Sequence, residues 1–222
     1  MSKKVIIVAP HPDDETLGCG GTVLKHVAAG DEVHWLILTD VAEQYGFTPD
    51  RVASRTREIQ RIAAFYGFAA THNLALSPAR LDTLPRGELV AKIAAVFSSV
   101  MPHVVYLPFR GDVHSDHGIA FDAVASCTKW FRYPSVQRVL AYETLSETEQ
   151  GLIPAAGFAP TFFVNIAEHL EAKLEALDIY ASEIGQFPFP RSREAVRALA
   201  MLRGATSGCT AAEAFVLLRE IA

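Results

Sequence analysis

The apolar positions of this chain fall into two rhythms. Short apolar runs at 5–9, 35–38 and 104–107 are rich in Val, Ile and Leu, as strands buried on both faces are, and the second lies in a strand read over 32–39. Between them lie stretches with apolar residues at helical spacing, at 14–29, 49–66, 86–100 and 116–129. Gly30 and Gly67 stand where helices commonly stop. Further strands are expected at 73–76, 136–143 and 162–166, and further helices at 167–183, 192–203 and 210–221. Strand and helix take turns, which predicts an α/β fold. The expectation is a three-layer, Rossmann-like arrangement, a mostly parallel sheet with helices on both faces. No repeat or interdomain linker interrupts the pattern, so residues 1–222 are read as one domain.

Composition narrows the function class. Half of the 222 residues are hydrophobic and the net charge is −5. No basic surplus attracts nucleic acid or an anionic membrane, so neither partner is expected. No apolar stretch reaches the length of a membrane span, and the first residues lack the features of a signal peptide. The expected location is the cytoplasm. The three cysteines, Cys19, Cys127 and Cys209, are scattered, which fits reduced thiols in the core. Cys19 is singled out because it follows an acidic segment by one helical turn.

That segment, Pro10-His11-Pro12-Asp13-Asp14-Glu15, sets an imidazole and three carboxylates at the end of an apolar run. Open α/β sheets place ligand sites at the carboxyl ends of their strands. A second polar cluster, Arg110-Gly111-Asp112-Val113-His114-Ser115-Asp116-His117, follows the run at 104–107. Both strand ends face one crevice in such a sheet. His11, Asp14 and one imidazole of the second cluster would then form a two-His, one-carboxylate site with an open position, the pattern of catalytic zinc.

The segment from Pro10 to Gly21 and the His114-Ser115-Asp116-His117 segment together resemble the PIG-L/LmbE family of zinc-dependent N-deacetylases. Glu58 ahead of Gly67, and Gly208 followed by Ala212-Glu213-Ala214-Phe215, extend the resemblance over most of the chain. It implies one Zn2+ per chain, other divalent metals being open, with His11, Asp14 and His117 as ligands. It implies Asp13 as the general base toward water and His114, as imidazolium, as the group that stabilises the oxyanion. Asp116 would orient His114, and Glu15 would support the loop. The implied partner is a small N-acetyl amino sugar or conjugate, with self-association left open. The stretch from Pro108 to Glu147 looks most like members tied to cell-surface glycans. Ser115 departs from the proline common in the family, which affects only loop shape, and the chain is short for the family.

Arg110 and Arg55 are candidate substrate-binding residues, Arg110 the stronger because it lies close to His114. Arg55 also reads as a solvated helix face, as do Arg191, Arg193, Arg197 and Arg203. Thr39-Asp40 ends a strand, where it either lines the crevice or only caps a turn. The loop Phe187-Pro188-Phe189-Pro190 reads as packed on the core rather than as a wall of the site. Three alternatives are weighed. One is a thiol-pathway enzyme acting on a GlcNAc–malate or GlcNAc–inositol conjugate. Another is a nucleotide-binding protein using Gly18, Gly20 and Gly21. The last is a non-catalytic zinc-bearing sugar binder.

Overall fold

A computed structural model describes residues 2–152 and 157–222. Seven strands, β1 (Lys4–Ala9), β2 (Glu32–Thr39), β3 (Ala70–Leu76), β4 (Val104–Pro108), β5 (Arg138–Tyr142), β6 (Phe162–Asn165) and β7 (Ala212–Glu220), form one sheet in the order β3-β2-β1-β4-β5-β7-β6. The first five strands are mutually parallel, and β7 runs antiparallel between β5 and β6. Among the described residues six helices accompany them: α1 (Asp14–Ala28), α2 (Pro49–Tyr66), α3 (Arg86–Val100), α4 (Ser115–Ser126), α5 (Leu170–Ile179) and α6 (Arg193–Ser207). Among the described residues no helix is long and apolar enough to cross a membrane.

Alternate residues of the strands feed two core layers. Val5, Ile7 and Trp35 pack under Val23 of α1, Ile62 and Tyr66 of α2 and Ile179 of α5. Ile6, Val8 and Leu36 pack under Ile93 and Phe97 of α3 and Val124 of α4. Helices therefore cover both faces, as the alternating pattern predicts. The sheet grows from β1 in both directions, toward β2 on one side and β4 on the other. This strand-order reversal opens a crevice at the carboxyl ends of β1 and β4.

Three expectations are corrected. Residues 210–221 form strand β7, not a helix. Their Ala, Glu and Leu content favours helix in isolation, but pairing to β5 and β6 on both sides overrides that weak preference. The helix expected at 167–183 is shorter. It begins with a 3-10 turn at Ala167–His169, and α5 ends at Ile179, beyond which Tyr180 reaches Glu15 and Glu183 reaches Arg51 and Arg55. Helix α1 is broken at Cys19, whose φ of −147° and ψ of 21° are not helical. The backbone N–H groups of Gly21 and Thr22, freed by the break, donate to the Glu213 carboxylate at 2.9 and 2.7 Å. Lys173 closes the arrangement by donating to Glu213 Oε1 at 2.6 Å and Leu17 O at 2.8 Å. The glycines of α1 are there for close packing. A Cβ on Gly18 would come within 2.2 Å of the Tyr142 ring, and one on Gly21 within 2.8 Å of Ile166. They form no phosphate loop, which removes the nucleotide-binding alternative. Cys19 is fully buried with its thiol pushed well up by burial, so it is a core residue.

Candidate active site

The chain leaves β1 at Pro10 and turns sharply before α1. Asp13 sits at the turn with φ 138° and ψ −27°, a region that costs a non-glycine residue about 1–3 kcal/mol. Neighbouring groups hold it there. The Asp13 N–H donates to Glu15 Oε2 at 3.1 Å, and Glu15 is fixed in turn by hydroxyls of Thr16 (2.6 Å) and Tyr180 (2.8 Å). Glu15 thus supports the loop, the role the resemblance implies for it. Burial pushes its carboxyl up to about 7.

The two sequence clusters meet on one carboxylate. Asp14 Oδ2 lies 3.4 Å from His11 Nδ1 and 3.4 Å from His117 Nε2, and the three ligand atoms fall within 4.8 Å of one another. The remaining ring nitrogens are both engaged. His117 Nδ1 is 2.7 Å from Asp112 Oδ2, and Asp112 also accepts the Thr148 hydroxyl at 2.6 Å. His11 Nε2 is 3.2 Å from Asp116 Oδ2. Metal-binding histidines are typically held in this way by a carboxylate on the far nitrogen. The donor set, two imidazoles and one carboxylate, suits a divalent cation of the zinc type. A second grouping, His11, His114 and Asp116, is also close enough to share an ion. It fits less well, because Asp116 already accepts backbone N–H groups of Ala79 (2.7 Å) and Leu81 (3.1 Å).

The electrostatics tell the same story. Burial lowers both imidazoles, but adjacent carboxylates outweigh it. Hydrogen bonds to Asp116 and Asp14 lift His11 to about 9, and Asp14 and Asp112 lift His117 to about 10. Burial opposes ionisation of Asp14, yet His117 and His11 hold it well below the usual carboxylate range. The carboxylates thus favour positive charge at both imidazoles, where a divalent cation would take the place of the protons. Burial, with the Asp14 charge beside it, pushes Asp13 up to about 8, against the pull of Arg191 and Arg55.

His11, Asp13, Asp14 and His114 line a cavity of about 270 Å³. Its walls include Thr39, Asp40, Phe47, Arg51, Arg55 and Glu147. This lies just below the usual range of about 300–1,000 Å³ for ligand pockets.

Four sequence readings change here. The Asp116 carboxylate rests on His11; toward His114 it is the Asp116 backbone N–H that donates, to Nδ1 at 3.2 Å. Nδ1 accepts at the start of α4 and burial lowers the pKa of His114, and both oppose the imidazolium that the resemblance implies. Arg110 is exposed, pairs with Asp122 at 2.7 Å and does not line the cavity. Arg55, a candidate substrate-binding residue that also reads as a solvated face, is 5% exposed and lines the cavity. It donates to Pro12 O at 2.5 Å and pairs with Glu183 and Glu58. Sequence reasoning also missed Asp112, Glu183 and Arg191. Asp112 was within the second cluster, and the two-residue polar spacing around it was the available signal. Glu183 and Arg191 come from a segment whose sequence shows only helix and loop.

The family model described as PIG-L, GlcNAc-PI de-N-acetylase, matches residues 6–128. A diacetylchitobiose deacetylase of Thermococcus kodakarensis is 28% identical over 226 residues, which covers 95% of this chain and 81% of that protein. A 1D-myo-inositol 2-acetamido-2-deoxy-alpha-D-glucopyranoside deacetylase of Rhodococcus jostii is 28% identical, covering 84% of this chain and 83% of that one. Among solved structures, a conserved protein of Thermus thermophilus superposes with a TM-score of 0.78. The two chains are 29% identical, with 99% of this chain and 96% of that one covered.

Proposed function

The chain belongs to the PIG-L family of de-N-acetylases, and on that premise we propose that it hydrolyses the acetamide of an N-acetylglucosamine-type sugar or sugar conjugate in a zinc-dependent reaction. The observation that carries the reading is the meeting of His11 and His117 on one oxygen of Asp14, beside a cavity lined by Asp13 and His114.

An amide is a weak electrophile with a poor leaving group. It needs an activated water, a stabilised oxyanion and a proton for the departing nitrogen. His11, Asp14 and His117 would hold a zinc ion, which would supply Lewis acidity toward water and the acyl group. Asp13 takes the proton of the attacking water and later returns it to the amine. Its raised pKa suits both tasks near neutral pH. His114 donates Nε2–H to the oxyanion as a neutral imidazole. Asp112 and Asp116 hold the imidazoles of His117 and His11 in the tautomers that leave the ligand nitrogens free.

A conjugate with an anionic aglycone, such as GlcNAc–malate, is a second reading, with Arg51, itself paired to Glu183, in the cavity wall. Arg110 no longer serves as the cation for it, since it faces Asp122. The three cysteines are free, in keeping with a reducing compartment such as the cytoplasm.

The test is free-amine release from GlcNAc, diacetylchitobiose, GlcNAc–inositol, GlcNAc–malate and UDP-GlcNAc, using zinc-loaded wild type and Asp13→Ala. Release by wild type only is the expected result. Equal release by Asp13→Ala would remove Asp13 as the base. Silence of wild type across the panel, with no metal retained, would remove the function.

A further inference from the structure

The segment between α5 and α6 brings one arginine back to the base. Phe189 N–H donates to Gln186 O at 2.9 Å and Ser192 N–H to Phe189 O at 3.0 Å. Ser192 is fully buried and caps α6 by accepting the Ala195 N–H at 3.2 Å. Arg191 immediately precedes this cap, so it springs from a backbone fixed on both sides. Its guanidinium lies 5.6 Å from the centre of the Phe189 ring. That ring rests on Gly185, where a Cβ would meet it at 2.8 Å. Arg191 Nη1 then donates to Asp13 Oδ2 at 3.1 Å and stands 3.7 Å from Glu183 Oε2. The segment expected to pack on the core instead leaves Phe187 exposed and delivers Arg191 to the cavity wall.

Asp13 Oδ1 has no hydrogen-bond partner among the described residues, while Oδ2 is tied to Arg191. The terminal torsion of an aspartate is broad, so an untethered carboxylate samples many orientations. Proton transfer needs one oxygen held at hydrogen-bond distance from the water. Glu15 already fixes the backbone N–H of Asp13. Arg191 fixes the other end of the residue.

We propose that Arg191 is a positioning residue for the deacetylation. It tethers one oxygen of the Asp13 carboxylate and so presents the other to the attacking water. This rests on the proposed deacetylase activity. An ion pair held only for stability at an exposed site contributes little. Here the partner is the 4% exposed Asp13, and the tether acts on a single reacting group.

The test compares wild type with Arg191→Ala, Arg191→Gln and Arg191→Lys, each with metal content and melting temperature measured. Arg191→Gln is expected to lower kcat about 10–100-fold with KM little changed, the usual effect of removing a group that orients another. Arg191→Lys should recover part of kcat, and added guanidinium should partly restore Arg191→Ala. Metal content should not change. A loss confined to KM would make Arg191 a substrate contact and overturn the proposal, as would unchanged kcat or a loss that tracks metal content. A crystal structure of Arg191→Ala gives a readout independent of turnover. A reoriented Asp13 carboxylate is expected, and an unmoved one overturns the proposal. Inactive wild type would count against the deacetylase reading alone, since the structural readout still decides the tether.

Discussion

Helix α1 meets buried carboxylates twice, and the two places are built in opposite ways. At its break, Glu213 accepts from Gly21 and Thr22 N–H and from Lys173, and Lys173 also donates to Leu17 O. The anion faces one cation and two backbone dipoles, and the cavity that it lines is only about 10 Å³. At its start, Asp13, Asp14 and Glu15 are buried with Asp112 and Asp116 close by; imidazoles face Asp14, an arginine faces Asp13 and hydroxyls face Glu15. Here the backbone is strained at Asp13, and a cavity opens beside it. Buried charge that only holds a fold is paired to closure. Buried charge that serves chemistry is left with an appetite for a cation and a route to solvent.

The comparison breaks most visibly if Asp13→Asn keeps its activity. The expected result is a fall in kcat of about 10²–10⁴-fold, the range for a general acid–base. Its melting temperature should hold or rise, because the substitution removes a carboxylate that burial and Asp14 oppose. The opposite signature belongs to the break in α1. Glu213→Ala leaves Lys173 buried without its partner and two N–H groups without acceptors. It should lower the free energy of unfolding by about 3–5 kcal/mol in chemical denaturation. Molecules that remain folded and metal-loaded should turn over normally. A slower turnover per loaded molecule would blur the division between the two regions.

A smaller effect sharpens the role of the supporting carboxylates. Asp112→Asn should weaken metal binding about 10–100-fold in a chelator competition, since it takes away the carboxylate on His117 Nδ1. Unaltered affinity would mean that His117 is oriented by packing alone.

The smallest effect concerns the pair His34 and His72, whose rings lie 3.2 Å apart at Nδ1 and Nε2. Burial lowers both, and for His34 the neighbouring His72 adds to it. They are the converse of His11 and His117, which carboxylates raise. With folded pKa values below the unfolded value of 6.5, the folded state binds fewer protons. The stability this pair confers is present above pH 6.5 and is lost as pH falls through that value toward the folded pKa values. Melting temperatures from about pH 7.5 down to about pH 5 should fall less steeply in His72→Gln than in wild type. Identical slopes would show that the pair is not coupled to folding.

Much of the site was legible because its parts are contiguous. His11, Asp13 and Asp14 occupy one strand end, and His114 and His117 another, so recognising two strands was enough to bring them together. Helix α2 was also readable to the residue, because a proline start, a glycine stop and helical spacing all agree within a short window. Strand β7 was not, since its local preference points to helix and only β5 and β6 make it a strand. The break at Cys19 was likewise hidden, because the acceptor that permits it, Glu213, lies at the other end of the chain.

The sequence by itself determined the alternation of strand and helix, and the residue types gathered at the ends of β1 and β4. Both depend on periodicity and local order, which a chain carries without folding. Tertiary structure alone decided the partners. It placed Asp116 on His11, put Asp112 on His117, turned Arg110 outward, and drew Arg55 and Arg191 inward. Those outcomes rest on side-chain direction and on contacts between residues far apart in sequence. Hydrogen-bond distance in the folded molecule settles them, and spacing along the chain does not.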